Sequence, residues 1–143
     1  MTHQQSITPP ARVWVGFAAD PNGRMLIHTH LKSRGRERTL RLRVPIRVSS
    51  DLSGRDVAYA AMTAVAAALR TRRIREAEFV IDDPEIVRDL EERRSLPMAL
   101  VVPYVTLRCE LNRFSQTKVL GPDEYSRDLS ARSRAELALT VAA

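Results

Sequence analysis

Little in this chain of 143 residues can be cross-linked, stacked or threaded through a bilayer. Cys109 is the only cysteine, so no internal disulfide can form. The expected setting is therefore the reducing cytoplasm, with the thiol packed rather than reactive. Aromatic residues make up 5% of the chain, which argues against a platform on which successive bases stack. No apolar run approaches the roughly 20 residues of a membrane span, so no membrane partner is expected. The opening MTHQQSITPPA lacks an apolar segment and does not read as a secretory signal. Residues 1–11 are expected to be a flexible tail ending at Pro9-Pro10. No glycine-rich phosphate loop, Cys/His zinc pattern or Ser-His-Asp arrangement is recognisable. Lysine is scarce too: only Lys32 and Lys118 occur, and every other basic side chain except the three histidines is an arginine.

What the chain does have is an ordinary globular composition, 44% apolar and 28% charged. Its length suits one domain, expected over residues 12–143, with a single core. The net charge of +6 favours polyanionic partners, although heavy arginine use can also follow from genome base composition.

The pattern of residues predicts an order of elements. RVWVGFA (12–18) reads as a strand, Asp20-Pro21-Asn22-Gly23 as a turn, and RMLIHTHL (24–31) as the returning strand. A second turn at Ser33-Arg34-Gly35 leads into RTLRLRVPIRV (38–48). There Leu40, Leu42, Val44, Ile46 and Val48 alternate with Arg41, Arg43, Pro45 and Arg47. That is a half-buried strand, and its proline puts it at a sheet edge or bulge. Ser53-Gly54-Arg55-Asp56 approximates a capping box for an alanine-rich, well-buried helix to about residue 72. Residues 76–81 form a short strand, and the strand-helix-strand sequence predicts a right-handed crossover. Pro84 opens a second helix to about residue 94. Pro103 is placed in the first turn of a third, with Val105, Leu107, Leu111 and Phe114 as anchors; the competing reading of LVVPYVTL is a strand, which Val and Tyr favour. Residues 116–120 form a last strand, and Asp123 caps a final helix to about residue 139. The order is β-β-β-α-β-α-α-β-α.

That order resembles the ribonuclease H-like fold, in its reverse-transcriptase-like branch. Three local matches support the resemblance. Asp83-Pro84-Glu85-Ile86-Val87 stands where the family has Asp-Ser-x-x-Val. Val57-Ala58-Tyr59-Ala60-Ala61-Met62 takes the place of Ala-Glu-x-x-Ala-Leu. Asp123 to Ser130 has the spacing of Asn-x-x-Ala-Asp-x-Leu-Ala. The resemblance implies an α/β domain with a mixed five-stranded sheet, three strands antiparallel and then parallel strands, flanked by helices. It also implies phosphodiester cleavage by acidic residues that hold two divalent metals. Here the implied first acid falls near Val15-Gly16, the second on Ala58 and the fourth on Arg127. Asp83 alone remains. Cations of the magnesium type need oxygen ligands, so these replacements remove the ligand set. The expectation is a degenerate, non-catalytic domain with no cofactor; Mg2+ or Mn2+ enters only if displaced acids, Asp20, Asp56 or Asp128, rebuild a site.

Asp83 also suits a plainer task, as N-cap to the helix that Pro84 opens, and Asp82 is expected to face the other way into solvent. The densest basic feature is Lys32, Arg34, Arg36 and Arg38 at the second turn, continued by Arg41, Arg43 and Arg47. It is the expected contact for a nucleic-acid backbone, whether RNA, DNA or hybrid; the competing reading is a charged sheet edge that blocks aggregation. Arg70, Arg72, Arg73 and Arg75 suit the negative end of the first helix. His28 and His30 share a strand face without an evident third metal ligand. Trp14, Phe17 and Tyr104 are expected to pack. An alternative function is self-association, giving a homo-oligomer through the edge strand or the alanine-rich helix.

Overall fold

A computed structural model describes residues 9–46, 54–92 and 95–141. In chain order the elements are β1 (Ala11–Ala19), β2 (Arg24–Ser33), β3 (Arg36–Pro45), α1 (Arg55–Thr71), β4 (Glu76–Ile81), α2 (Pro84–Glu92), α3 (Met98–Leu111), β5 (Gln116–Leu120) and α4 (Glu124–Val141). They form one five-stranded mixed sheet in the order β3-β2-β1-β4-β5. The first three strands are an antiparallel meander, and β4 and β5 run parallel to β1. Parallel neighbours need long connections, and here α1 and the α2–α3 pair supply them. The predicted order and fold class are both observed. Arg47, Val48, Ser53 and positions 93 and 94 lie outside the described residues.

The turns follow from residues that tolerate positive φ. Gly23 (φ 86°) closes the first hairpin, where the Asp20 carboxylate accepts the backbone N–H groups of Asn22 and Arg24, each at 3.0 Å. Arg34 (φ 51°) and Gly35 (φ 73°) make the second turn, the left-handed pair that matches strand twist in a two-residue hairpin. Pro45 ends β3 on the sheet edge, where a missing N–H breaks no internal ladder.

The two faces of the sheet are covered differently. On one, Val13, Val15, Ile27, Phe79 and Ile81 pack beneath Ala58, Ala61, Met62, Val65 and Leu69 of α1, together with Ile86 of α2 and Leu107 of α3, in one buried cluster. Leu40, Leu42 and Val44 of the edge strand pack against it while remaining half-exposed. On the other face α4 lies across β1 and β2 and buries Ser126, Leu129, Ser130 and Ser133. Three of those four buried residues are serines, and Gly16 of β1 lets the Leu129-Ser130 backbone of α4 come close to the sheet.

Three expectations fail along α3. The helix begins at Met98, directly after Pro97, and Pro103 lies inside it rather than in its first turn. Val105 is exposed; Leu100 takes its place as an anchor beside Leu107 and Leu111. Cys109, expected to be packed, is exposed on this helix. Ala11, assigned to the tail, is buried at the start of β1.

The contact between α4 and β1 is made by backbone. A Cβ on Gly16 would lie 2.2 Å from the Ser130 backbone nitrogen and 2.5 Å from the Leu129 carbonyl carbon. Neither atom can swing aside as a side chain would. Gly16→Ala is therefore expected to destabilise the fold by at least the ~1–3 kcal/mol typical of overpacking. Urea denaturation checks this; an unchanged midpoint would mean that α4 does not rest on Gly16.

Candidate functional site

Past the ends of β1 and β4 a cleft of about 680 Å³ is lined by Phe17, Arg55, Asp82, Asp83, Glu85 and Arg134, among others. Asp83 stands at its floor as the N-cap of α2. Its Oδ1 accepts the N–H groups of Glu85 (2.7 Å) and Ile86 (3.2 Å), two of the donors that a helix start leaves unpaired. Burial pushes the carboxyl above its ordinary value of 3.8, against the pull of those two N–H donors. Asp82, expected to face away into solvent, is half-buried and lines the same cleft.

The positions where a ligand set was sought hold other groups. Val15 points into the core and Gly16 meets α4; the β1 side chain at the cleft is Phe17. Its backbone N–H, facing the side where β4 has already ended, is taken by Ser130 Oγ at 3.0 Å. Ala58 is fully buried in α1 and Arg127 is exposed on α4. The displaced acids do not converge. Asp20 is held in its hairpin by Arg24 Nε at 3.0 Å, Asp56 lies half-buried on α1, and Asp128 is exposed on α4. Among the described residues, no group of three or more His, Cys, Asp or Glu could hold a metal ion.

Arginine enters the cleft instead. Arg55 at the start of α1 bonds Glu85 (2.8 Å) and approaches the buried Asp89 at 3.7 Å. Tyr59 Oη donates to Asp89 at 2.7 Å. Burial, reinforced by that carboxylate, raises the Tyr59 phenol well above its ordinary range, so it stays a donor. The sequence reading missed this group. Its signal was Asp89 sitting among Ile86, Val87 and Leu90 on the buried side of α2.

The basic residues separate onto opposite faces of the sheet. Alternation along β3 puts Arg36 and Arg38 on the side of Leu40, facing α1, and Arg41 and Arg43 on the side of α4. Arg34, Arg36 and Arg38 meet Arg72 from the end of α1 around a groove of about 490 Å³, with Leu31 and Ile74 also in its lining. No carboxylate lines it, and among the described residues none of these four arginines forms an ion pair. Arg72, read from sequence as a helix-end charge, does donate to the Ala68 carbonyl at 3.0 Å, yet it also closes this groove. On the other face Arg41 is clamped to Glu136 of α4 at 2.7 Å, and Lys32 lies 3.9 Å from Glu37. Arg43 borders a separate small pocket against Leu137. The predicted stripe is thus not one surface, and Arg47 lies outside the described residues.

His28, His30, Trp14 and Tyr104 make contacts within the fold. His28 is buried between Ser133 Oγ (2.7 Å from Nδ1) and Glu136 (3.0 Å from Nε2). A carboxylate only accepts, so Nε2 carries the proton. His30 packs against Trp14 and Tyr125. The Trp14 indole N–H donates to Asp123 at 3.0 Å, and Asp123 caps α4 by accepting the Ser126 N–H at 2.8 Å. Partial burial pushes the Asp123 carboxyl up, but these donors outweigh it and hold the group below its ordinary value. Tyr104 packs edge-on against Tyr59.

Sequence comparison matches this chain to no family model and to no curated protein. Solved structures do match it. Ribonuclease H1 from the halophilic archaeon Halobacterium salinarum is 15% identical, superposes with a TM-score of 0.66, and the match covers 90% of this chain and 99% of that one. The N-terminal ribonuclease H domain of a Mycobacterium tuberculosis protein gives 0.67 at 11% identity, over 87% and 95%. LC11-RNase H1, solved in complex with an RNA/DNA hybrid, gives 0.66 at 13%, over 85% and 91%. This chain has the ribonuclease H-like fold.

The raised pKa of Asp83 fixes the sign of a pH effect. An acid that is harder to ionise folded than unfolded imposes no penalty below pH 3.8, and destabilises as pH rises through its raised pKa. Asn caps helices as well as Asp does. Asp83→Asn is therefore expected to be more stable than the parent at pH 7, with the difference vanishing on acidification below pH 3.8. Asp83→Ala loses the cap and about 1 kcal/mol. Chemical denaturation across pH checks both; a parent more stable than the Asn variant at pH 7 would contradict the burial account.

Proposed function

We propose that this chain is a non-catalytic ribonuclease H-like domain that binds a nucleic-acid backbone, with the arginine groove as its main contact. The carrying observation is the groove itself: Arg34, Arg36, Arg38 and Arg72 converge without a carboxylate in the lining. Four guanidinium groups held together without counter-charges repel one another, and an anion relieves that repulsion. Guanidinium forks match phosphate oxygens, and such contacts position a strand without reading its sequence. The net charge of +6 acts in the same direction at longer range. That LC11-RNase H1 was solved with an RNA/DNA hybrid makes a hybrid the first ligand to try. Of the remaining basic residues singled out in the sequence, Arg41 is the least available, because Glu136 already neutralises it.

The non-catalytic half of the proposal rests on the cleft. Asp83 is committed to capping, Glu85 is bonded to Arg55, and Arg55 and Arg134 bring two positive charges to where cations would have to sit. This donor set does not fit a pair of divalent metals, which need several oxygen ligands each.

Binding is expected to weaken steeply with salt and to show little sequence preference. Arg36→Ala with Arg38→Ala should flatten the dependence of log affinity on log salt by about 2, one for each phosphate no longer neutralised. Arg41→Ala should leave it unchanged. Fluorescence anisotropy with duplex, hybrid and single-stranded probes measures this, and a flat salt response of the parent protein would end the proposal.

One observation favours a second reading: Asp82, Asp83 and Glu85 line the same cleft. If rearranged carboxylates supported nuclease chemistry with Mg2+ or Mn2+, the protein would cut an RNA/DNA hybrid in manganese, and Asp83→Asn would abolish the cutting. The proposed function expects no cleavage by either protein at high enzyme concentration.

A further inference from the structure

The most exposed large apolar side chains lie mainly on one helix. Met98 is 89% exposed, Val101 41%, Val102 73% and Val105 50%, all on α3. Their spacing of three, four and seven residues puts them on one side of the helix. Thr106 and Cys109, also exposed, extend the same stripe. None of the six is charged. The opposite side of α3 already supplies Leu100, Leu107 and Leu111 to the core. A helix with apolar side chains on both sides is one that expects cover on both. The sequence-based candidates for self-association do not offer such a surface: α1 is packed into the core, and β3 presents arginines at its edge.

We propose that the exposed stripe of α3 is the interface for a second copy of this chain, packed antiparallel about a two-fold axis. The stripe is complementary to its own reverse. Turned about the point midway between Pro103 and Tyr104, Met98 falls opposite Cys109, Val101 opposite Thr106, and Val102 opposite Val105. The longest side chain thus meets one of the smallest, and the central layer is a flat row of valines. Such self-complementarity is what a two-fold interface requires, and a different partner would not impose it. Antiparallel packing also sets opposite helix dipole ends side by side. Six side chains of this size per copy put such a pair near the lower limit for a specific interface, about 1,200 Å² in total. The dimer is accordingly weak to moderate, and its population rises with concentration.

Light scattering on the full chain across a concentration series is expected to show the mass climbing to twice that of the monomer. Val102→Glu should raise the dissociation constant at least tenfold, with circular dichroism and thermal unfolding of the monomer unchanged because the site is exposed. Register has its own test. In Met98→Cys the new thiol faces Cys109 of the other copy, and oxidation should yield a covalent dimer that Cys109→Ser prevents. The parent should not cross-link, since its two Cys109 residues lie about 16 Å apart along the axis, beyond the reach of a disulfide. A parent protein monomeric at every concentration, or a dimer indifferent to Val102→Glu, would overturn the proposal. A dimer that breaks with Val102→Glu but cross-links without regard to Cys109 would overturn the antiparallel register.

Discussion

At Gly16 the backbone of β1 comes so near the backbone of α4 at Leu129-Ser130 that no side chain fits between them. With no side chain between them, the helix sits low enough for its serines to act on the sheet. Ser130 Oγ takes the Phe17 N–H beyond the end of β4, and Ser133 Oγ reaches His28. The same descent brings Glu136 onto His28 and Arg41, and the start of α4 onto Trp14 through Asp123. The sheet face under α4 is therefore organised by hydrogen bonds and ion pairs, whereas the face under α1 is a hydrocarbon core. Partners on the α4 face also neutralise charges that would otherwise be free.

That division sorts the arginines. A strand alternates its side chains, so neighbours in sequence fall under different regimes. Arg41 is spent on Glu136, while Arg36 and Arg38, a few residues earlier, look toward the end of α1 and meet Arg72. The cleft at Asp83 obeys a similar logic. Arg55 lies where α1 begins and engages Glu85 and Asp89, while one oxygen of Asp83 accepts two N–H groups of α2. In the groove, by contrast, four arginines meet with no carboxylate in the lining.

Most of the architecture was legible because local chemistry fixed it. Strict alternation from Leu40 to Val44, Asn22-Gly23 and Arg34-Gly35 at the turns, and Asp83 and Asp123 as caps all acted within a few residues of themselves. The start of α3 was misplaced because Pro103 was read as a first-turn proline. Pro97 ends the preceding segment instead, and the helix tolerates the later proline at the cost of one internal hydrogen bond. The functional pattern was less legible for a different reason. Glu136 is 95 residues from Arg41, and Asp123 is 109 from Trp14. No local pattern announces which arginine has a distant acid waiting. The split of the basic stripe was half-readable, since Arg38 shares the parity of Leu40 and Arg41 does not. The role of Arg72 was not, because it depends on where α1 ends over the sheet.

The central claim is that the groove of Arg34, Arg36, Arg38 and Arg72 holds the nucleic-acid backbone. The most direct measurement is an NMR titration that follows the arginine Nε–Hε signals as an RNA/DNA hybrid is added. The account predicts shifts or broadening at those four arginines, with the Arg41 signal unmoved in its bond to Glu136. Shifts centred on Arg55 and Arg134 at the Asp83 cleft, with the four groove arginines silent, would contradict it.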